Sequence, residues 1–173
     1  MDLLELHSVQ SFASSTLQAL GDSKLDYLLL NAGMLGNERE PPVKGARYTD
    51  AFIVNHLAHH YLVHLLRQKL VASGTRIVFV SSGAIRQVED ASEIEEAIKA
   101  GSKTSTTEQW KHYAQTKFAA LIGALWWRRE LAGSCEVVAV SPGLIPGSGL
   151  AKGDLSLPTD HPDAKSVEEG ELS

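Results

Sequence analysis

A tyrosine and a lysine stand one helical turn apart in Tyr113-Ala114-Gln115-Thr116-Lys117. At that spacing both side chains lie on one helix face. An ammonium beside a phenol favours the phenolate and draws the tyrosine pKa down from its ordinary ~10. Tyr113 then becomes a proton donor or acceptor usable near neutral pH. The same spacing also arises wherever an aromatic residue on an amphipathic helix has a solvated neighbour, so the pair acquires meaning only from its company. Ser82 closes an apolar run, where its hydroxyl is placed to hold a substrate oxygen against Tyr113. Asn31 closes an earlier run, and Asn55 falls inside a helical stretch. Asparagine is disfavoured in mid-helix because its amide competes for backbone hydrogen bonds, so Asn55 needs either a surface position or a task.

The elements that must position these residues are legible in the hydrophobic pattern. Three short apolar runs, Leu25–Leu30, Arg76–Val80 and Glu136–Val140, are continuous rather than alternating. They read as strands buried on both faces, as in a parallel sheet. Each ends in a small-residue turn: Asn31-Ala32-Gly33, Ser81-Ser82-Gly83 and Ser141-Pro142-Gly143. In open α/β sheets ligands bind at such carboxyl ends. Between the runs, helical spacing marks Ser8–Leu20, Tyr48–Val71 and Trp110–Leu131, the last stopped by Gly133. Alternation of helix and strand implies right-handed βαβ units. Gln87–Glu108 is polar, with a helical turn or two expected over Glu93–Ala100, and Pro146–Ser173 reads as loop and tail.

Composition narrows the functional classes. The chain has 173 residues, 43% of them hydrophobic and 21% charged, with a net charge of -5. That is one domain's worth of sequence with enough apolar content for a core. A mildly acidic chain without basic clusters is a poor nucleic-acid or anionic-membrane binder. One cysteine, Cys135, permits no intrachain disulfide and reads as an inert buried thiol. The start carries acids rather than a basic region before an apolar run, and no stretch is long and apolar enough to span a bilayer, so a cytoplasmic location is expected. His56, His60 and His64 follow a helical line with His59 adjacent, but no Cys, Asp or Glu on that helix completes a metal set, so no metal is expected.

Asn31-Ala32-Gly33, Val54-Asn55-His56, Ser81-Ser82, Tyr113-x-x-x-Lys117 and Ser141-Pro142-Gly143, in this order, resemble the short-chain dehydrogenase/reductase family. FIVNHLAHH (Phe52–His60) and RIVFVSS (Arg76–Ser82) look most like its retinol-dehydrogenase-like and WW-domain-oxidoreductase-like branch. The resemblance runs from about Asp2 to Gly149. It implies a three-layer Rossmann-like parallel sheet with helices on both faces, and an oxidoreductase interconverting a carbonyl and an alcohol with NADP or NAD. Residue by residue, Tyr113 would be the acid/base and Lys117 would lower its pKa and bind the nicotinamide ribose. Ser82 would orient the carbonyl, and Asn55 would hold the water of a proton relay. Asn31, Ala32 and Gly33 would shape the cofactor wall, Pro142 and Gly143 would lie against the nicotinamide, and Asp2 with Leu3 would meet the adenine. The four catalytic residues should converge on one concave site. Trp126-Trp127 would be core or part of a homodimer surface on the two long helices.

The sequence departs from this pattern at its ends. The family opens with a strand, a Gly-rich turn (TGxxxGxG) and a helix that together hold the pyrophosphate. No such turn occurs here. By this resemblance residues 1–149 form a partial domain lacking the N-terminal βαβαβ nucleotide-binding half, with 150–173 a flexible tail. The Asn31 strand becomes an exposed edge, and independent cofactor binding is expected to be poor. Two other readings stay open at this point: a cofactor-independent isomerase, cyclase or dehydratase on the same residues, and a non-catalytic truncated relative. The substrate, beyond a small carbonyl or alcohol, is not encoded in any motif.

Overall fold

The computed structural model of the chain describes residues 1–36, 47–99, 106–146, 150 and 164–171. Its frame is a parallel sheet of three strands, β1 (Tyr27–Leu30), β2 (Arg76–Val80) and β3 (Glu136–Val140), in the order β1-β2-β3. The register is continuous across the sheet, with Leu28 beside Ile77 beside Val137, and Leu30 beside Phe79 beside Ala139. β2 and β3 coincide with the apolar runs in the sequence. β1 starts two residues later than its run, because Leu25 is held by side chains: its N–H donates to Ser73 Oγ at 3.0 Å and its C=O accepts from Thr75 Oγ1 at 2.6 Å.

α1 (Leu6–Leu20) precedes β1. The first crossover enters α2 (Asp50–Phe52), widens through a π-helical turn at Ile53–Leu57 and continues as α3 (Ala58–Ser73). Thr49 caps this run, its Oγ1 accepting from the Phe52 N–H at 3.3 Å, which starts the helix two residues later than expected. Gly74 ends it with φ 68°, a left-handed conformation that glycine adopts without strain. The second crossover carries 3₁₀ turns at Gly83–Gln87 and Ala91–Glu93, the short α4 (Ile94–Ala97) and the long α5 (Thr106–Glu130), which starts before the expected Trp110. The helical turns expected over Glu93–Ala100 are therefore present. Residues 100–105, the glycines at 147 and 149, and most of the expected tail lie outside the described residues. The end of the chain carries a further helix, α6 (Val167–Glu171), where only loop was expected.

Both crossovers move the same way across the sheet. Right-handedness then puts both on one face. The core bears this out: Val9 and Ala13 of α1, Leu62, Leu66 and Leu70 of α3, and Trp127 and Leu131 close over Leu30, Ile77, Phe79 and Val137. Strand alternation sends Tyr27, Leu29, Val78, Val80, Val138 and Val140 to the other face. There Tyr27 and Leu29 are each 64% exposed. The expected Rossmann-like sheet is thus present as two of its three layers among the described residues. β1 pairs only with β2 there, leaving the expected open edge. Of the three leucines of β1, only Leu29 is exposed; Leu28 and Leu30 turn toward the helices.

One-sided cover predicts a one-sided mutational response. Ile77→Ala, on the covered face, should cost ~2–4 kcal/mol in urea unfolding. Val78→Ala, one residue on, should cost less than half as much. Equal losses at the two positions would show that both faces are packed.

Candidate active site

The site forms at the carboxyl ends of the strands, where β1 delivers Asn31-Ala32-Gly33 and β2 delivers Ser81-Ser82. α5 presents Tyr113 and Lys117 to it from the side. Both are buried despite their polar ends. Ser82, two residues past the end of β2, is extended and caps the following 3₁₀ turn, its Oγ accepting from the Ala84 N–H at 3.2 Å. The Ser82 side chain acts on the Tyr113 phenol, lowering its pKa against the effect of burial. Ser82 and Tyr113 are thus neighbours at the end of β2.

Lys117 reaches the same place from one turn further along. Its ammonium donates to the Val80 C=O at 2.9 Å and lies 5.9 Å from the centre of the Tyr113 ring. Burial lowers its pKa from 10.5 to about 8. Tyr113 does not follow the expectation that Lys117 draws its pKa down. Burial raises it, and the lowering influence is the neighbouring Ser82 side chain. The reason is geometric: the ammonium is committed to a backbone carbonyl rather than to the phenol oxygen.

Asn55 is fully buried in the π-helical turn. Its Oδ1 accepts from the Met34 N–H at 2.8 Å, and its Nδ2 donates to the Met34 C=O and to Thr116 Oγ1, both at 2.9 Å. Thr116 in turn donates to the Tyr113 C=O at 2.8 Å. One amide thus joins the loop after β1, the π-turn and α5. The turn is wide because the Ala58 N–H reaches back to the Ile53 C=O, five residues away. Such π-turns concentrate at functional sites.

Gly33 sits where these parts meet. A Cβ there would stand 3.2 Å from Lys117 Nζ and 3.3 Å from Asn55 Oδ1, so any side chain would crowd both. Asn31 and Ala32 are exposed beside it. Pro142 and Gly143 follow β3, and the aliphatic end of Lys165 lies against Gly143, 3.0 Å from the position of a Cβ. The Lys165 N–H also donates to the Leu144 C=O at 2.7 Å, drawing the end of the chain onto this loop. Asp2 is used locally: its Oδ1 accepts from the Leu4 N–H at 2.9 Å, ahead of α1, while Leu3 packs into the core.

Sequence reasoning missed Thr116 and Met34. Thr116 lies inside the Tyr-Lys motif, and a β-branched hydroxyl residue in mid-helix was an available signal. Met34 contributes only backbone atoms, which no residue type betrays. His112, also missed, is buried with its Nε2 3.1 Å from Thr49 Oγ1, fastening α5 to the start of α2. His60 of α3 meets Trp126 and Trp127 of α5, and among the described residues no three His, Cys, Asp or Glu are grouped to hold a metal. No helix among those residues is long and apolar enough to cross a membrane.

Comparison with known proteins supplies kinship. No family model matches the chain. A short-chain dehydrogenase/reductase of Pestalotiopsis microspora is 45% identical over 175 residues, spanning 100% of this chain and 60% of that protein. A dehydrogenase/reductase of Bos taurus, SDR family member 13, is 32% identical over 145 residues, 82% of this chain and 34% of its own. The alcohol dehydrogenase of Thermococcus sibiricus, solved with 5-hydroxy-NADP, shares the fold at TM-score 0.66 and 18% identity, over 99% of this chain and 64% of that one. A putative short chain dehydrogenase of Escherichia coli CFT073, solved with NADPH, matches at TM-score 0.59 and 27% identity, over 84% and 54%. The chain therefore spans 60% or less of the curated relatives it matches. With its parallel sheet and the Ser82, Tyr113 and Lys117 cluster, it belongs to the short-chain dehydrogenase/reductase family.

Proposed function

We propose that the chain carries the proton-transfer half of an NAD(P)(H)-dependent oxidoreductase that interconverts a small carbonyl compound and its alcohol. The observation that supports this reading is the gathering of Ser82, Tyr113 and the Lys117 ammonium at the carboxyl ends of the strands. In the reducing direction Ser82 would donate a hydrogen bond to the substrate oxygen. Tyr113, kept protonated by burial, would deliver its proton to the same oxygen. Lys117 would hold positive charge beside the developing phenolate. Asn55 would keep the π-turn docked, with its backbone beside a water path to Lys117. When bound, the reduced nicotinamide supplies the hydride equivalent.

The residues present fit one end of that cofactor. Gly33 leaves space against Lys117 and Asn55, and Ser81 Oγ is buried without a partner among the described residues, beside Ser82. A buried hydroxyl of this kind is costly unless a ligand group satisfies it. Asn31, Ala32, Lys117, Pro142 and Gly143 would surround the nicotinamide ribose. The pyrophosphate end finds no Gly-rich strand-to-helix turn in this sequence. Asp2 and Leu3 would serve the adenine only by giving up their present contacts.

Calorimetric titration of the chain with NADPH should therefore give an affinity no tighter than about millimolar. At saturating NADPH, Tyr113→Phe should slow reduction of a carbonyl probe by ~100-fold or more, read by loss of reduced-nicotinamide absorbance. Micromolar binding would refute the partial-site reading. An unchanged rate in the variant would refute the role of Tyr113.

Lys117 should also cost stability. Below pH 8 its proton is kept in both folded and unfolded chains, and the folded chain bears the burial penalty. Between pH 8 and 10.5 the folded chain has released that proton while the unfolded chain keeps it, so stability rises with pH there. Lys117→Met should thus be ~1–3 kcal/mol more stable than the parent near neutral pH. Its advantage should shrink as the pH climbs through that window, while activity is lost. A variant less stable at neutral pH would contradict this.

A second copy of the chain is the proposed protein partner. Ile122, Leu125 and Trp126 form an exposed apolar stripe on α5. Sedimentation should show a dimer that Leu125→Glu dissociates; an unaffected dimer would place the contact elsewhere.

A further inference from the structure

A stack of aromatic rings runs along the seam between α5 and the helix that carries Asn55. Tyr48, Phe52, His56 and His60 follow one another at i, i+4, with ring centres 5.2, 5.1 and 5.8 Å apart. His60 then meets Trp126 and Trp127 of α5 at 5.4 and 5.1 Å. Two contacts make the seam specific. The Trp127 indole N–H donates to His60 Nδ1 at 3.1 Å, so that nitrogen must be unprotonated. Opposite His56, α5 carries Gly123, where a Cβ would stand 2.8 Å from His56 Cε1. The imidazole fills the space that any larger residue on α5 would take.

The charges around these rings all have one sign. His56 faces His60, and His60 faces His64; on the same helix His59 faces His56 and the Lys117 ammonium of α5. None of the groups that shift His56, His59 or His60 is a carboxylate. A proton on His60 would set an N–H against the Trp127 N–H. A proton on His56 would bury a cation in an aromatic stack against the α5 backbone. Asn55, whose amide holds Thr116, is the residue next to His56.

We propose that His56 and His60 are positioning residues that hold α5 against the π-turn only while neutral, so that acid opens this seam and releases the Asn55–Thr116 bridge. Burial, seconded by His60, lowers the His56 pKa to about 4, and burial, seconded by His64, also lowers that of His60. An unfolded histidine titrates near 6.5, so the stabilising preference for the neutral ring is complete above that value. It is lost progressively as the pH falls toward 4. The effect on turnover rests on the oxidoreductase reading; the opening of the seam does not.

Nuclear magnetic resonance on the chain tests it without any cofactor. His56 should titrate with a midpoint near 4 rather than near the ordinary value. The Trp127 indole proton and the Asn55 side-chain amide should lose exchange protection as their histidines titrate, while the backbone amides of β2 stay protected. His60→Gln keeps an acceptor that cannot titrate, so its Trp127 indole should stay protected to lower pH. His56→Phe should remove a roughly 30-fold loss in folding equilibrium between about pH 7.5 and about pH 5. If either variant fails to fold, the parent chain's own titration decides. An ordinary His56 midpoint, an Asn55 amide indifferent to titration, or simultaneous loss of the β2 amides would overturn the proposal. Seam opening without any turnover at neutral pH would instead count against the oxidoreductase reading.

Discussion

The side-chain amide of Asn55 is the interaction on which the site depends. It has one acceptor and two donors, and the structure uses all three groups across three elements. In a buried position each of those bonds is worth more intact than its loss is easy to repair, because a broken one strands a polar group away from water. The loop after β1 is kept close enough to Lys117 and Asn55 that any side chain at position 33 would crowd both. α5 is held at the height where Lys117 reaches the Val80 C=O. The amide lies within the π-turn, and the aromatic seam beside it supplies contact area that a single side chain cannot.

Tyr113 and Lys117 illustrate how burial and chemistry pull against each other. A phenol and an ammonium withdrawn from water both drift toward their neutral forms. For Tyr113 that means retention of a proton to give. For Lys117 it means a charge maintained only with a backbone carbonyl as company, and with a neutral His59 nearby. Perturbed titrating groups that cluster at the end of a sheet are a recognisable mark of a chemical site, though structural networks produce them as well.

Much of this was legible from residue types alone. Continuous apolar runs located β2 and β3 to the residue because parallel strands leave no room for polar alternation. Tyr113, Ser82, Lys117 and Asn55 stood out by type, position and order, and the structure gathers them around the ends of β1 and β2. What escaped had no signature in residue type. The start of β1 was displaced by hydroxyls at positions 73 and 75, which a propensity argument ignores. Met34 acts through its backbone. The titration of Tyr113 was misjudged because i, i+4 spacing fixes which face two side chains share but not which oxygen the ammonium selects. α6 is too short and too polar to announce itself before it packs, where Gly170 allows Ile145 to approach.

The sheet has a further consequence, and it is kinetic. Both strand pairs are parallel, and each joins residues separated by a full crossover, Tyr27 with Arg76 and Arg76 with Glu136. Among the described residues no hairpin is available to close first, so the entropy of a long loop must be met before these ladder bonds form. The nearest thing to a local nucleus is the α3–β2 corner, where Gly74 reverses the chain and Thr75 bonds Leu25 across the future sheet. Until α5 and β3 dock onto that corner, Ile77 and Phe79 have cover from one side only. A chain assembled in this order spends its slow phase with its most apolar strand incompletely sheltered, the condition under which chaperones find their clients and concentrated solutions aggregate.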